Sequence, residues 1–494
     1  MVINNEMELK LEADKAGIGM LAAASNFANP ASDIVQTSTY FDTPDKAVHQ
    51  AGLSLRIRAI GSLRIQTIKR ESASAAGVFA RPEWEVPIKG DLPVFDGTDN
   101  PLLSVIPAKE LLRLEPIFQI VVKRQLCDIE RDGAKIELAL DQGEIVAGCH
   151  TLLLYEVELE LKEGSPAAMF ALARELDAVA PLQLSPLSKA QLGYRLLEGG
   201  CDQPVKSTPI FLHGEMAPSE GFAVIAQACI RQFRLNQSML ARTESPEALH
   251  QARVALRRLR SAMSIFKDML ADDRFEYFMD NLRWISGELD KGRNLDVLLK
   301  QSPDAAHSQT LRLAREQAYV KAKDALDSAR LRTLLLDFVE WISIGNWRTR
   351  SLATIVDQRI DSFASKALDR CRRRVKRRGQ HWDKLEDETR HRLRLQVKKL
   401  RYASEFFCAL FPATKSQDRQ KEFFKALKAL QTTLGDLNDQ ATGAELLAEL
   451  GLNEVIIGAM AKEQAQKRIL MLQGAHKDYD TLINAKHFWR KPSK

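Results

Sequence analysis

Charged side chains alternate with apolar ones in the first residues of the chain. Glu6, Glu8 and Lys10 are separated by Met7 and Leu9, and successive side chains of a β-strand point to opposite faces. The spacing therefore predicts a strand with three charges on one face. The same alternation returns in Arg56 and Arg58, Thr67 and Lys69, Arg81, Glu83 and Glu85, Glu137 and Asp141, and Glu156, Glu158 and Glu160.

Acidic pairs and basic pairs fall on different predicted strands, which indicates facing walls of opposite charge if the strands close on one another. Unpaired buried charges are strongly destabilising, so such an interior requires water, ions or a charged ligand. Carboxylates are hard oxygen ligands for Mg²⁺ or Mn²⁺, and Arg and Lys match phosphate oxygens. The pattern therefore predicts a site for a divalent cation and a multiply charged phosphate compound.

A second basic pattern repeats in the C-terminal half. Residues at offsets 0, 3, 7 and 10 lie in one stripe of a helix. One such run is usually a solvated surface, but two copies in register, 141 positions apart, indicate a duplicated helical unit. The first copy contains His250, Arg253, Arg257 and Arg260, and the second contains His391, Arg394, Lys398 and Arg401.

The two halves of the chain differ in charge. Residues 1–200 contain 20 Lys and Arg against 28 Asp and Glu, so the totals of 71 and 65 leave 51 against 37 for residues 201–494. A basic half attracts polyanions and an acidic half can hold cations. Two unrelated surface compositions would give the same balance, so charge alone leaves both readings open.

The length and patterning predict a multidomain α+β protein, because 494 residues exceed one ordinary core. Apolar and charged residues alternate as in β-strands within residues 1–198. The segment 199–217 is rich in Gly and Pro and is predicted to be a linker. Helical amphipathic patterns then cover 218–490, as two repeats of about 218–350 and 351–490.

The predicted compartment is the cytoplasm. The six cysteines are scattered without a CxxC pair, which is typical of a reducing compartment and argues against a disulfide framework or a zinc site. The N-terminus has no basic start followed by an apolar run, and no stretch approaches the ~20 apolar residues of a membrane helix. We therefore expect neither a signal peptide nor a membrane partner.

The N-terminal motifs resemble those of the CYTH family, the triphosphate tunnel metalloenzymes. The resemblance covers residues 1–198 and implies a closed antiparallel tunnel of eight β-strands with flanking helices, which hydrolyses a terminal phosphate. The matching motifs are residues 6–10, 40–44, 55–58, 83–85, 136–141, 156–160 and 187–194, together with Lys69 and Arg124.

The resemblance also implies roles for individual residues. The metal ligands, for Mg²⁺ or Mn²⁺, are Glu6, Glu8, Glu156 and Glu158. The catalytic residues are Glu6, Glu8, Lys10, Glu83 and Glu85. The residues that bind substrate phosphates are Lys10, Arg56, Arg58, Lys69, Arg124 and Lys189. Glu137 and Asp141 match further acidic tunnel positions.

The C-terminal motifs resemble the CHAD domain, which often follows a CYTH domain. Four segments carry this resemblance: the two basic runs, residues 292–296 and residues 434–439. Asn294 and Asn438 differ from the residues that are usual at these positions in the family. The resemblance implies two helical bundles related by pseudo-symmetry. It also implies a groove that binds polyphosphate through the eight residues of the two runs.

Together the resemblances predict an inorganic triphosphatase like the bacterial CYTH-CHAD enzymes, acting on tripolyphosphate and binding polyphosphate. Polyphosphate granules are a candidate location. Two alternatives remain open: a tunnel enzyme for an organic triphosphate (a nucleotide cyclase or thiamine triphosphatase), and a non-catalytic polyphosphate-binding scaffold. Nucleic acid is not favoured, because aromatic residues do not interleave with the dense basic run at residues 370–378.

Overall fold

The chain forms two compact units in the computed structural model, which describes residues 2–24, 31–71, 76–95, 100–301, 305–348, 359–412, 414–451 and 454–490. The first unit consists of Met1–Val205, Ile230–Met239 and Asp327–Gly345, and the second of Lys206–Cys229, Leu240–Leu326 and Asn346–Lys494. Two segments of the helical half thus pack with the N-terminal unit. The domain limits drawn from the sequence stay predictions, and the limit at residues 350 and 351 lies outside the described residues.

A curled antiparallel β-sheet forms the centre of the first unit. The strand order is β5-β4-β3-β2-β6-β7-β8-β1-β9, and β5 also pairs with β1, from Val2 opposite Glu85 to Leu9 opposite Val78. The strands are β1 (Val2–Glu12), β2 (Ala31–Asp42), β3 (Leu53–Ile60), β4 (Leu63–Arg70), β5 (Val78–Ile88), β6 (Glu115–Arg131), β7 (Ala134–Ala147), β8 (His150–Glu163) and β9 (Gln183–Leu184).

The predicted count of eight strands is wrong by one in the described part of the chain. The ninth strand, β9, has two residues and pairs with Leu11 and Glu12 of β1. It continues along β1 where the pairing with β5 ends at Leu9. A strand this short has no alternation of apolar and polar residues from which it could be predicted.

Six helices accompany the sheet: α1 (Lys15–Ala23), α2 (Ala47–Gln50), α3 (Pro101–Val105), α4 (Ala108–Leu111), α5 (Pro166–Val179) and α6 (Lys189–Leu197). Leu55 and Ile57 of β3 pack with Leu102 of α3 in one hydrophobic cluster, which Trp84 of β5 also joins. Because side chains alternate along a strand, Arg56 points to the opposite face of the sheet.

Helix α6 packs on the face of the sheet that carries the charges. Its Ala190 and Tyr194 form a buried cluster with Phe118, Ile120 and other apolar residues. Phe118 and Ile120 have the same parity along β6 as Arg124, and therefore lie on the same face. This packing holds the N-terminus of α6, and with it Lys189, against the charged part of the sheet.

The remainder of the described chain is helical, which confirms the predicted succession of a β-rich part and an all-helical part. The helices are α7 (Pro218–Arg242), α8 (Pro246–Ile265), α9 (Lys267–Leu270), α10 (Phe275–Gln301), α11 (Ala305–Asp327), α12 (Ala329–Ile344), α13 (Ile360–Arg378), α14 (Asp387–Phe407), α15 (Thr414–Glu449) and α16 (Glu454–Asn484). No described helix is both long and apolar enough to cross a membrane.

Candidate active site and anion-binding groove

A cavity of about 490 Å³ in the first unit is lined by seven basic and seven acidic side chains. It brings together all six residues predicted to bind phosphate, and Glu8, Glu83, Glu85 and Glu158 among the predicted acidic residues. The basic side chains are Lys10, Arg56, Arg58, Lys69, Arg124, Lys162 and Lys189, and the acidic ones are Glu8, Glu71, Glu83, Glu85, Glu137, Glu158 and Glu160.

Three cations and three carboxylates form a buried cluster at the side of the cavity nearest α6. Strand register assembles part of it, because Lys10 lies opposite Glu158 and Arg124 lies opposite Asp141. Arg124 donates from Nε to Asp141 over 2.7 Å, and its guanidinium also contacts Glu158. Glu156, opposite Asp141 on β8, completes the acidic set.

Lys189 contacts all three carboxylates of this cluster. Its Nζ lies 2.8 Å from Asp141 and 2.6 Å from Glu158, and it also pairs with Glu156. The Lys10 ammonium lies 2.7 Å from Glu8 and contacts Glu158 as well. The ammonium groups of Lys10 and Lys189 therefore bind four carboxylates between them: Glu8, Asp141, Glu156 and Glu158.

The carboxylates of the cluster differ in proton affinity. Burial raises the pKa of Glu156, and although Lys10 and Lys189 lower it again, it remains at about 7. Burial acts on Glu158 in the same direction, but Lys10, Lys189 and Arg124 together hold its pKa well below the usual range. Environment thus separates two glutamates that are two positions apart on one strand.

This cluster has the chemistry of a divalent-cation site. Ligand oxygens of Asp141, Glu156 and Glu158 lie within 4.8 Å of one another. Among the described residues, Glu156 Oε1 is buried and has no hydrogen-bond partner, so one acceptor position is open. Three carboxylates suit Mg²⁺ or Mn²⁺, and the residues fit such an ion. Because Lys189 contacts all three carboxylates, a cation there would compete with its ammonium.

The opposite wall of the cavity is formed by β3, β4 and β5. Lys69 Nζ lies 2.5 Å from Glu83, and Arg56 lies 3.7 Å from the same carboxylate. Thr67 donates a hydrogen bond of 2.9 Å to Glu85. The pKa of Glu85 is raised by burial and by the charge of Glu83, whereas burial at Glu83 is outweighed by Lys69 and Arg56, which lower its pKa.

Two guanidinium groups of this wall retain unused donors. Within the part of the chain that the structure describes, the Nε atoms of Arg56 and Arg58 are buried and lack a hydrogen-bond partner. Both residues line the cavity. A buried donor without a partner is unfavourable, so an oxyanion in the cavity would stabilise both groups.

Several polar residues of the site were missed from the sequence. Ser188 caps α6 in a reciprocal capping box with Gln191, and it donates a hydrogen bond of 2.9 Å to Glu71. Ser54 donates to the other oxygen of Glu71, also over 2.9 Å. The Ser-x-x-Gln spacing is a recognisable signal for the cap, but the pairing of Glu71 with both serines depends on tertiary structure.

Two of the predicted metal ligands, Glu6 and Glu156, are not among the described residues that line the cavity. Glu6 lies in β1 opposite Arg81 of β5, but the side chains of both residues are outside the described set. Glu156 is described and is 1% exposed, below the surface of the cavity rather than in its lining. Its predicted role as a metal ligand thus concerns a carboxylate covered by Lys10 and Lys189.

A second cavity, of about 720 Å³, lies among the helices of the second unit and is here called the groove. It collects side chains from both sequence repeats, carried by α8 and α14. Seven of eight predicted residues line it: His250, Arg253, Arg257, Arg260, His391, Arg394 and Lys398. The lining also contains Arg293, Asn294, Lys399 and Asn438, with Asp290 and Asp439 as its two acidic residues.

The groove holds more positive charge than its own acids neutralise. Arg394 lies 3.6 Å from Asp439, and Arg253 pairs with Asp290. Burial, Arg257 and Arg394 lower the pKa of Lys398 to about 6. Burial and Arg293 lower that of His250 to about 4. Burial and, after it, the neighbouring cations thus disfavour the charged forms of both side chains, and an anion in the groove would stabilise those forms.

Arg401 differs from the other predicted groove residues, since it does not line the cavity. Its guanidinium donates to Glu405 over 2.7 Å and to Gln431 over 2.8 Å. Its counterpart Arg260 has Ser264 at the equivalent position four residues later. A local acid therefore holds Arg401 in the second copy, where the first copy offers none.

Models of two protein families match the chain. The family model of the CYTH domain matches residues 4–194, and that of the CHAD domain matches residues 224–448. An inorganic triphosphatase from Haemophilus influenzae is 30% identical over 200 residues, which are 40% of this chain. The chain spans 56% of the length of that relative.

Two solved structures resemble parts of the chain, both with low TM-scores. The CHAD domain from the plant Ricinus communis is 26% identical, with 57% of this chain and 97% of that chain covered and a TM-score of 0.45. A Hippeastrum protein described as having a dominant triphosphatase activity is 21% identical, with 40% and 96% covered and a TM-score of 0.31. Neither likeness bears on function at such scores. The chain thus matches the CYTH family model in its N-terminal part and the CHAD family model in its C-terminal part, in that order.

Proposed function

We propose that the chain is a metal-dependent inorganic triphosphatase that removes the terminal phosphate of tripolyphosphate, and that its helical part binds polyphosphate. The observation that carries the proposal is the cavity of the first unit, where seven basic side chains meet seven acidic ones. The pairing of β1 with both β5 and β8 supports a closed tunnel around that cavity.

The basic side chains account for binding of the phosphate chain. Arg56 and Arg58 present unused Nε donors, and Lys10, Arg124 and Lys189 surround the acidic cluster. Charge-assisted bonds from these groups fix the register of the substrate and stabilise the leaving pyrophosphate. Fourteen of the 21 described lining residues are charged and Tyr40 is the one aromatic residue among them, which favours an inorganic chain over a nucleotide or a thiamine derivative.

The acidic side chains account for the metal requirement and for proton transfer. Glu8, Glu156 and Glu158, with Asp141, would hold Mg²⁺ or Mn²⁺, which would withdraw charge from the phosphate oxygens. Glu85, whose pKa is raised by burial and by Glu83, is suited to accept the proton of the attacking water. The chain itself therefore supplies substrate positioning and a base.

Phosphate release tests this proposal directly. Tripolyphosphate, long-chain polyphosphate, ATP and thiamine triphosphate are compared with Mg²⁺, Mn²⁺ or EDTA. We expect metal-dependent turnover that favours tripolyphosphate. Glu158→Gln should lower kcat by about 10²-fold or more, since it removes a carboxylate that would hold the metal ion, whose charge stabilises the transition state.

A matched control lies on the same strand. Glu163 of β8 pairs with Lys135 at the surface and does not line the cavity, so Glu163→Gln should leave turnover unchanged. If wild type hydrolyses none of the four compounds but binds polyphosphate, the chain is a polyphosphate-binding scaffold. If ATP or thiamine triphosphate is preferred, the substrate assignment is wrong.

A further inference from the structure

A stripe of basic side chains runs along α13, outside the lining of the groove. Lys366, Arg370, Arg373, Arg374 and Arg377 follow one another at intervals that place them on one side of the helix. From Lys366 to Arg377 the stripe is about 16 Å long, at about 1.5 Å per residue. The other side of the helix is buried, through Ala364, Ala367, Leu368, Cys371 and Val375.

Acidic partners for this stripe are scarce. The Arg370 guanidinium lies 3.5 Å from Asp268, whereas no ion pair within the described residues involves Arg373, Arg374 or Arg377. Like charges four residues apart on a helix repel each other. The helix dipole favours basic residues in the last turn, which accounts for Arg377 but not for residues 370–374. The stability of α13 therefore does not explain the stripe.

The stripe is continuous with the groove through Lys399 of α14. Lys399 lines the groove and its ammonium contacts the Ser264 hydroxyl. Burial lowers the pKa of Lys399, and the charges of Arg374 and Arg370 lower it further, so these three cations are close enough to repel one another. Arg370 and Arg374 are therefore stripe residues that interact electrostatically with a cation of the groove lining.

We infer that the α13 stripe is a second polyphosphate subsite, occupied only by chains too long for the groove. The inference rests on the proposed binding of polyphosphate by the groove, and adds that affinity increases with chain length. The one aromatic residue of α13, Phe363, is 7% exposed, so the helix offers no platform for stacked bases. A polymer with charge on every unit and no bases matches the stripe better than nucleic acid does.

The test compares the full chain with Arg373→Ala/Arg374→Ala, in EDTA to prevent turnover. Binding of long-chain polyphosphate, tripolyphosphate and duplex DNA is measured over a range of salt. In the variant we expect several-fold weaker binding of long-chain polyphosphate. We also expect a log–log salt slope shallower by about 1.4, since each contact with a flexible polyanion contributes about 0.7. Tripolyphosphate binding in EDTA should not change, and neither should its hydrolysis, measured separately with Mg²⁺.

Two further variants keep the test decisive. Lys321→Ala/Lys323→Ala removes the same charge from exposed positions on α11 and should leave long-chain affinity unaltered. Arg373→Lys/Arg374→Lys retains the charge and should bind like wild type. Thermal unfolding verifies that each variant is folded.

The possible failures are distinguishable. If wild type binds no polyphosphate of any length, the proposed function of the helical part fails. If wild type binds it but the α11 and α13 alanine variants lose affinity equally, or neither loses any, only the subsite is refuted. A loss confined to duplex DNA would identify the stripe as a nucleic-acid surface instead.

Discussion

Lys398 should couple polyphosphate binding to proton uptake. Its side chain is 8% exposed. Burial lowers its pKa most, Arg257 and Arg394 lower it further, and Asp439 offsets only part, which leaves a pKa of about 6. At pH 8 the amine is therefore mostly neutral in the free protein. A polyanion in the groove favours the ammonium form, so binding should take up a proton.

The sign and size of the effect follow from that pKa. Below pH 6 Lys398 is already charged and the groove binds at full strength; as pH rises through 6, charging it costs about 1.4 kcal/mol more per unit. The decrease in affinity should approach tenfold per pH unit above the pKa, and should amount to about 50-fold, or about 2.3 kcal/mol, between pH 6, where half of the Lys398 amines are charged, and pH 8. His250, with a pKa of about 4, titrates in the free protein below this window.

Isothermal titration calorimetry with long-chain polyphosphate, in EDTA and in two buffers of different ionisation enthalpy, measures the proton uptake. We expect about one proton at pH 8, as the linkage requires. Lys398→Arg stays charged throughout the range and should bind with an affinity that depends little on pH. Equal affinity of wild type at pH 6 and pH 8, or an unchanged pH profile in Lys398→Arg, would refute the assignment.

Three other changes probe the first unit. Lys189→Met leaves three buried carboxylates without their shared ammonium and should lower the free energy of unfolding by about 3 kcal/mol, measured in urea; a loss below about 1 kcal/mol contradicts this. Arg56→Ala removes a charge-assisted phosphate contact and should raise KM for tripolyphosphate about tenfold; an unchanged KM would place substrate elsewhere. Gly193→Ala puts a Cβ 2.2 Å from Cε2 of Phe118 and should lower the melting temperature through overpacking, whereas an unchanged value would mean that α6 moves freely.

Alternation along strands allowed part of the site to be predicted from the sequence. Arg56 and Arg58, for example, line the cavity because period-two spacing fixes the face on which a side chain lies. The spacing of residues along a strand does not reveal how deeply a side chain is buried. Glu158 therefore reaches the cavity, whereas Glu156, on the same face, lies beneath Lys10 and Lys189. Depth depends on which strands and helices cover a position.

Helical periodicity had a similar limit. It predicted that α8 and α14 present basic stripes, and the groove joins both. It could not reveal that Glu405 draws Arg401 away, because that outcome depends on side-chain competition within one turn. Strand β2 (Ala31–Asp42) carries little signal of this kind, since residues 36–39 are all polar and give no alternation of apolar and polar residues.

The position of β1 between β5 and β8 also bears on how the protein is made. Lys10 and Glu158 are 148 residues apart in sequence, and contacts of such long separation form slowly. During synthesis, β1 emerges before the other strands and has no β8 to pair with until His150–Glu163 has followed. Until then its edge is exposed to other chains. The described strands all precede α6 in the chain, so a chain interrupted before α6 would have the strands of the sheet but lack Lys189, and its charged cluster would be incomplete.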